Sequence, residues 1–210
     1  MSGATCAHSF AGRTPSVRRL EMKGNIMIVG VGGQGTLLAS KLLGKLFLEK
    51  GLDVKVSEVH GMSQRGGSVV TYVRYSEKVY SPVIDKGQAD IIISFEILEA
   101  ARYVEYLKKG GLLITNLQQI NPMPVITGAQ EYPEDLAGKL AKLDIVFEGF
   151  DALSLARQAG SVKAVNLALL GRLSRHFDFT EEQWLDTIAT SVPEKFIEMN
   201  KKAFLLGRNS

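Results

Sequence analysis

The stretch NIMIVGVGGQGTLLASKLLGKLFLEKG, residues 25–51, limits the fold most tightly. Residues 25–30 form a short unbroken apolar run before a cluster of glycines. Such a run reads as a strand buried on both faces, as strands of a parallel sheet are. Residues 34–51 then carry Leu38, Leu42 and Leu46 at helical spacing, with Leu37, Leu43 and Phe47 besides, which predicts a well-buried helix that stops near Gly51. DVKVSEV, residues 53–59, alternates as a second strand. The segment 25–59 therefore reads as a β-α-β unit.

The same reading extends downstream. It predicts strands over 68–76 (SVVTYVRYS), 89–95 (ADIIISF), 112–116 (LLITN) and 144–150 (DIVFEGF), with a short strand in EKVYSPVI (77–84) ended by Pro82. Helices are predicted over 96–111, closing on Lys-Lys-Gly-Gly, over 133–143 with Pro133 near the first turn, and over 151–160 capped by Asp151. NPMPV (121–125) reads as a loop because of its two prolines. Three further helices, 162–176, 180–190 and 193–207, complete the chain. Strands alternating with helices, then helices alone, imply an α/β fold: Rossmann-like, with a mostly parallel sheet flanked by helices and a helical C-terminal part. No boundary is evident within 22–210, which reads as a single domain. Residues 1–21 read as a disordered leader, a tag remnant or a start placed upstream of Met22.

Composition narrows the function classes. Of the net charge of +3, residues 1–21 supply +2 through Arg13, Arg18 and Arg19 against Glu21. The remainder carries no basic stripe of the kind that binds nucleic acid. Cys6 is the sole cysteine, and the three histidines (His8, His60, His176) have no ligand spacing. The chain therefore offers no disulfide, no thiolate zinc site and no iron–sulfur ligation, and no metal site is expected on it. No apolar run reaches the ~20 residues of a membrane helix; ADIIISFEILEAA is broken by Glu96. The leader lacks the apolar core of a secretory signal, so the cytoplasm is the expected compartment.

Two glycine loops carry the chemistry. GVGGQG sets Gly30, Gly32 and Gly35 in G-x-G-x-x-G spacing, with Gly33 in addition, between a buried strand and a helix. Three uses remain open for it: contact with a phosphate or cofactor at the helix N-terminus, contact with another protein chain, or close packing of helix on sheet. The second loop lies in SEVHGMSQRGGSVV, residues 57–70. Arg65, preceded by Ser63 and Gln64 and followed by Gly66 and Gly67, offers a fixed fork of donors beside backbone able to form an anion nest. Alternatively it is a bent loop whose arginine pairs with Glu58 or the sheet edge. Both loops follow the carboxyl ends of strands, the ligand edge of an open α/β sheet, so they are expected to converge. Glu58, 23 residues after Gly35, stands where a ribose-binding acid of a nicotinamide enzyme would, with His60 as an acid or base. No tyrosine is followed by lysine four residues later, so the usual short-chain reductase pair is missing.

GVGGQGTLLASKLLGK, DVKVSEVHGMSQRGGSVVTYVRY and EKVYSPVIDKGQADIIISFEILEA together resemble the gamma-type domain of 2-oxoacid:ferredoxin oxidoreductases, and within that family the beta subunits of indolepyruvate ferredoxin oxidoreductases. VPEKFIEMNKKAFLLG extends the likeness over residues 22–207; residues 1–21 depart from it. The resemblance implies an accessory subunit of a thiamine-dependent enzyme of amino-acid catabolism. An aryl pyruvate is oxidatively decarboxylated, CoA captures the acyl group and ferredoxin takes the electrons. It implies a large alpha subunit holding thiamine diphosphate, Mg and 4Fe-4S clusters, without which this chain is inactive. The chain has no Gly-Asp-Gly segment followed by an Asn-rich stretch for thiamine diphosphate. Carried onto matching positions, the resemblance makes Gly30, Gly32, Gly33, Gln34 and Gly35 the first contact loop and Ser63, Gln64, Arg65, Gly66 and Gly67 the second. Glu58 and His60 stand beside them, and CoA is a possible ligand. No catalytic residue is assigned. A free-standing NAD(P)-dependent reductase and a structural docking module with no ligand are the alternatives.

Overall fold

A computed structural model describes residues 23–60 and 67–210, with His60 described by its backbone alone. Strand β1 (Gly24–Val31) leads into helix α1 (Thr36–Glu49), then β2 (Asp53–His60) and β3 (Ser68–Ser76). β4 (Ala89–Ser94), α2 (Ile97–Tyr103) and β5 (Leu107–Asn116) follow. Next come α3 (Met123–Ile126), α4 (Leu136–Ala141), β6 (Val146–Phe150) and α5 (Ala152–Ala159). Helices α6 (Val165–Leu173), α7 (Glu181–Ala189) and α8 (Ile197–Asn209) close the fold.

The six strands form one sheet in the order β2-β3-β1-β4-β5-β6. β1, β4, β5 and β6 are parallel neighbours, while β3 runs antiparallel to both β1 and β2. β2 is thus parallel to β1 but separated from it by β3. The expected mostly parallel sheet is present, with one reversed strand inside it.

Strand alternation sends β1 side chains to two cores. Ile26 and Ile28 face α1 and the C-terminal helices, in a cluster with Leu42, Phe47, Val73, Leu167, Trp184 and Phe204. Met27 and Val29 face α2 and α4, with Ile92, Leu113, Ala100, Leu136 and Leu140. All four β1 residues are fully buried, as a strand covered on both faces requires.

Three sequence expectations are corrected. EKVYSPVI forms no strand. Its backbone is held by side chains instead: Val79 N–H donates to Asp53 Oδ2 (2.9 Å), and Arg74 Nη1 donates to the carbonyls of Ser81 (2.9 Å) and Val83 (3.0 Å). The helix expected over 96–111 ends at Tyr103, passes through a 3₁₀ turn, and gives way to β5 at Leu107. Lys-Lys-Gly-Gly is a bulge inside that strand: Ala89 pairs with Leu107 but Ile91 with Leu112, and Gly110 takes φ +68°. NPMPV is no plain loop. Pro122 caps and Pro124 enters the first turn of the short α3, where a missing N–H costs nothing.

Candidate functional site

β1 sends its chain to α1 on one face of the sheet, and β4 sends its chain to α2 on the other. The crevice between the carboxyl ends of β1 and β4 is therefore the topological switch point, where open α/β sheets bind ligands. The first glycine loop sits there. Val31 pairs with Ser68, so β3 begins where β1 ends, and Gly32 N–H donates to the Gly67 carbonyl at 2.9 Å. Gly67, the one described glycine of the second loop, is thus bonded to the first loop.

Each first-loop residue has its own role. Gly30 is buried, and a Cβ there would stand 2.8 Å from Gln34 Oε1 and 3.0 Å from Phe95 Cβ. Gly33 is exposed at φ +94°, with nothing among the described residues within 4 Å of where a Cβ would lie. Gly35 takes φ +87° as the N-cap of α1, and its carbonyl accepts from Asn166 Nδ2 of α6 (3.4 Å). No side chain caps α1 and no acid stands in its first turn. Among the described residues, neither a capping side chain nor a first-turn acid offsets the positive end of the helix dipole at this edge.

Gln34 ties the loop down. Its Oε1 accepts from Val31 N–H (2.7 Å), and its Nε2 donates to the Phe95 carbonyl (3.3 Å) across the crevice. The same carbonyl accepts from Asn116 Nδ2 at 3.1 Å. The Gln34 amide is thereby committed to shaping the backbone, and the Gly32 and Gln34 N–H groups are likewise taken, by the carbonyls of Gly67 and Val31.

The second loop is anchored at its exit. Ser68 Oγ donates to Glu99 Oε2 at 2.5 Å and lies 3.1 Å from the Tyr103 hydroxyl; Arg102 Nη1 donates to Glu99 Oε1 at 3.1 Å. Burial pushes the Glu99 carboxyl above its ordinary value, against the Ser68 hydrogen bond and the Arg102 charge, which pull it down. Beside it, Glu96 caps α2 by accepting from Glu99 N–H (2.9 Å), and also accepts from Ile120 N–H (3.1 Å) and the Tyr132 hydroxyl (2.5 Å). Burial and that carboxylate raise the Tyr132 phenol well above its usual range, so it stays protonated. The buried Asn116, Glu96, Glu99 and Asn166 were not singled out in the sequence. The available signal was a pair of acids three apart directly after the apolar run of β4.

Glu58 is half-buried on β2, opposite Thr71 of β3. Two strand spacings, roughly 10 Å, separate its strand from β1. A ribose-binding acid belongs on the strand next to β1, and β3 occupies that place. Gly61, Met62, Ser63, Gln64, Arg65 and Gly66 lie outside the described residues, as does the His60 side chain. A separate depression of about 430 Å³ opens at the opposite, amino-terminal edge, against Asn25, Arg74 and Lys108. Arg74 is bound there to Asn25 and two carbonyls, and Lys108 to Asp90, so its cations already serve the fold. Among the described residues no group of three or more His, Cys, Asp or Glu could hold a metal ion. No helix among them is long and apolar enough to cross a membrane.

Residues 25–210 match the model of the pyruvate ferredoxin/flavodoxin oxidoreductase family. The chain belongs to that family. It is 48% identical over 195 residues to the indolepyruvate oxidoreductase subunit IorB of Thermococcus kodakarensis, covering 87% of this chain and 93% of that protein. Among solved structures, its fold is similar to the gamma subunit of a keto/oxoacid ferredoxin oxidoreductase from Geobacter sulfurreducens. The TM-score is 0.65 at 22% identity, over 89% of this chain and 96% of that one. It is also similar to part of the 2-oxoglutarate:ferredoxin oxidoreductase of Magnetococcus marinus, solved with 2-oxoglutarate, coenzyme A and succinyl-CoA bound. Here the TM-score is 0.69 at 19% identity, over 90% of this chain and 31% of the longer one. The fold therefore occurs both over nearly the whole of a short chain and as a segment of a longer one.

Proposed function

We propose that the chain is the accessory subunit of a thiamine-dependent indolepyruvate:ferredoxin oxidoreductase, acting as one gamma-type domain over residues 22–210. The complex decarboxylates an aryl pyruvate, passes the acyl group to CoA and reduces ferredoxin. The residues of this chain do not fit thiamine diphosphate or a cluster, since Cys6 is its sole cysteine and no metal-holding group exists among the described residues. Those groups belong on the large alpha subunit, and this chain alone is inactive.

The observation that carries the reading is the seam at Gly32 and Gly67, which joins two glycine loops at the switch point beside an uncapped helix N-terminus. Such an edge offers the backbone around Gly33 and Gly35 to a phosphate or to a neighbouring chain. It suits a subunit that completes a site held mainly by its partner. Gly30, Gly32, Gly33, Gln34, Gly35, Glu58, His60, Ser63, Gln64, Arg65, Gly66 and Gly67 are the proposed contact set. Within it Gly30 and Gln34 shape the loop, and Arg65 reaches the CoA phosphates or the alpha subunit.

Calorimetry separates this reading from a free-standing nicotinamide enzyme. The isolated chain is expected to give no heat with NADH or NADPH, in keeping with β3 lying between β1 and Glu58. Saturable binding of either would favour the reductase. Arg65→Ala is expected to leave the fold intact while weakening assembly or turnover of the complex, read by size-exclusion and by CoA-dependent ferredoxin reduction.

A further inference from the structure

Directly beneath the seam, one two-residue segment is held from both sides. The Gly67 carbonyl accepts from Gly32 of the first loop, while the Ser68 hydroxyl donates to Glu99 on α2. Glu99 is 3% exposed and its other oxygen accepts from Arg102. The carboxylate is not needed to cap α2, because Glu96 does that. Nor does burying it help the core: a side chain such as leucine would join the neighbouring apolar cluster without the cost of desolvating a charge. What the carboxylate adds is direction. Ser68 donates to it and is left to accept from Tyr103, so the segment leaving the second loop has one orientation.

We propose that Glu99 is a positioning residue for the reaction of the assembled enzyme. Acting through Ser68, it holds the Gly32–Gly67 seam in the geometry with which this edge engages CoA. The inference rests on the function proposed above and adds to it a residue outside both loops. Among the described residues, the charged and titratable groups around Glu99 are Arg102 and Glu96 of its own segment, Tyr103 through Ser68, and Tyr132 beyond Glu96. Protonating Glu99 makes it a donor toward Ser68 and reverses the direction of that hydrogen bond. Acidification should therefore loosen the seam before it unfolds the chain.

The test uses the complex reconstituted with the alpha subunit, in wild-type form and with Glu99→Gln or Ser68→Ala. Each variant is expected to raise the KM for CoA about three- to tenfold while kcat changes less than about twofold. Size-exclusion and thermal melting should show the complex still assembled and folded. In the wild type, KM should climb on acidification, beginning above the ordinary carboxylate range because burial raises Glu99, and Glu99→Gln should flatten that climb. The proposal is overturned if both variants keep the wild-type KM and pH profile, or if KM rises only in step with a loss of melting temperature. A wild-type complex that turns over without this chain, or without CoA, would remove the functional reading itself and this inference with it.

Discussion

The α6–α8 crossing and the first glycine loop use glycine for opposite ends. Where α6 crosses α8, a Cβ on Gly171 would collide with the Phe204 carbonyl, and one on Gly207 with the Ala168 carbonyl. Both sit in regular helix, so their purpose is to bring two backbones of the same chain together. Gly33 is the reverse case: it needs φ +94°, and no atom of the described residues lies within 4 Å of its Cβ position. Gly35 does both, with φ +87° and Asn166 Nδ2 2.8 Å from its Cβ position. Glycine at the crossing completes the fold, whereas Gly33 leaves backbone accessible to something outside it.

Substitution should pull these regions apart. Gly171→Ala is expected to have the largest effect, about 3 kcal/mol of stability, because neither helix can yield without losing its packing. Urea denaturation measures it, and a neutral result would show that the α6–α8 crossing does not depend on the missing Cβ.

The second expectation concerns the same C-terminal layer. Burial would raise the Glu148 carboxyl, but the His176 hydrogen bond and the charges of His176, Arg172 and Arg175 hold it below its ordinary value. A depressed carboxylate stabilises the fold above its unfolded pKa, and that contribution is lost as pH falls through the folded value. Glu148→Gln is expected to cost about 2 kcal/mol at neutral pH. It should also make the melting temperature less sensitive to pH below about 4.5. An unchanged pH profile would show that this cluster contributes nothing through ionisation.

Gly33→Ala probes the loop. The strained φ should cost about 1 kcal/mol, while assembly with the alpha subunit or CoA-dependent turnover falls by much more than stability does. Equal losses in both would place Gly33 with the packing glycines. Tyr132→Phe is expected to have the smallest effect, about 0.5–1 kcal/mol by thermal melting. It removes one of three donors to Glu96 and leaves the α2 cap in place.

Much of this was legible in the sequence. Apolar runs such as Ile26–Val29 and Ile91–Ile93 admit little but buried strands, and glycines directly after a strand can be read by what they permit. The bulge in β5 was hidden because Lys-Lys-Gly-Gly after an amphipathic segment is also how a helix ends. Tyr103, Val104 and Tyr106 are poor helix formers, and pairing with β4 decides the outcome. The reversal of β3 was hidden because alternation reveals a strand but not its direction. The roles of Glu99, Asn116 and Asn166 were hidden because each depends on a partner more than 20 residues away. No local pattern marks such pairs.

The central claim is that this chain completes a site whose cofactors lie on another subunit. The most direct measurement is indolepyruvate- and CoA-dependent ferredoxin reduction by the co-expressed alpha subunit, assayed with this chain, without it, and with its Gly33→Ala form. The account predicts a stable complex, activity only when both subunits are present, and a loss with Gly33→Ala that exceeds its loss of stability. Full activity of the alpha subunit alone, or failure of the two chains to associate, would contradict it.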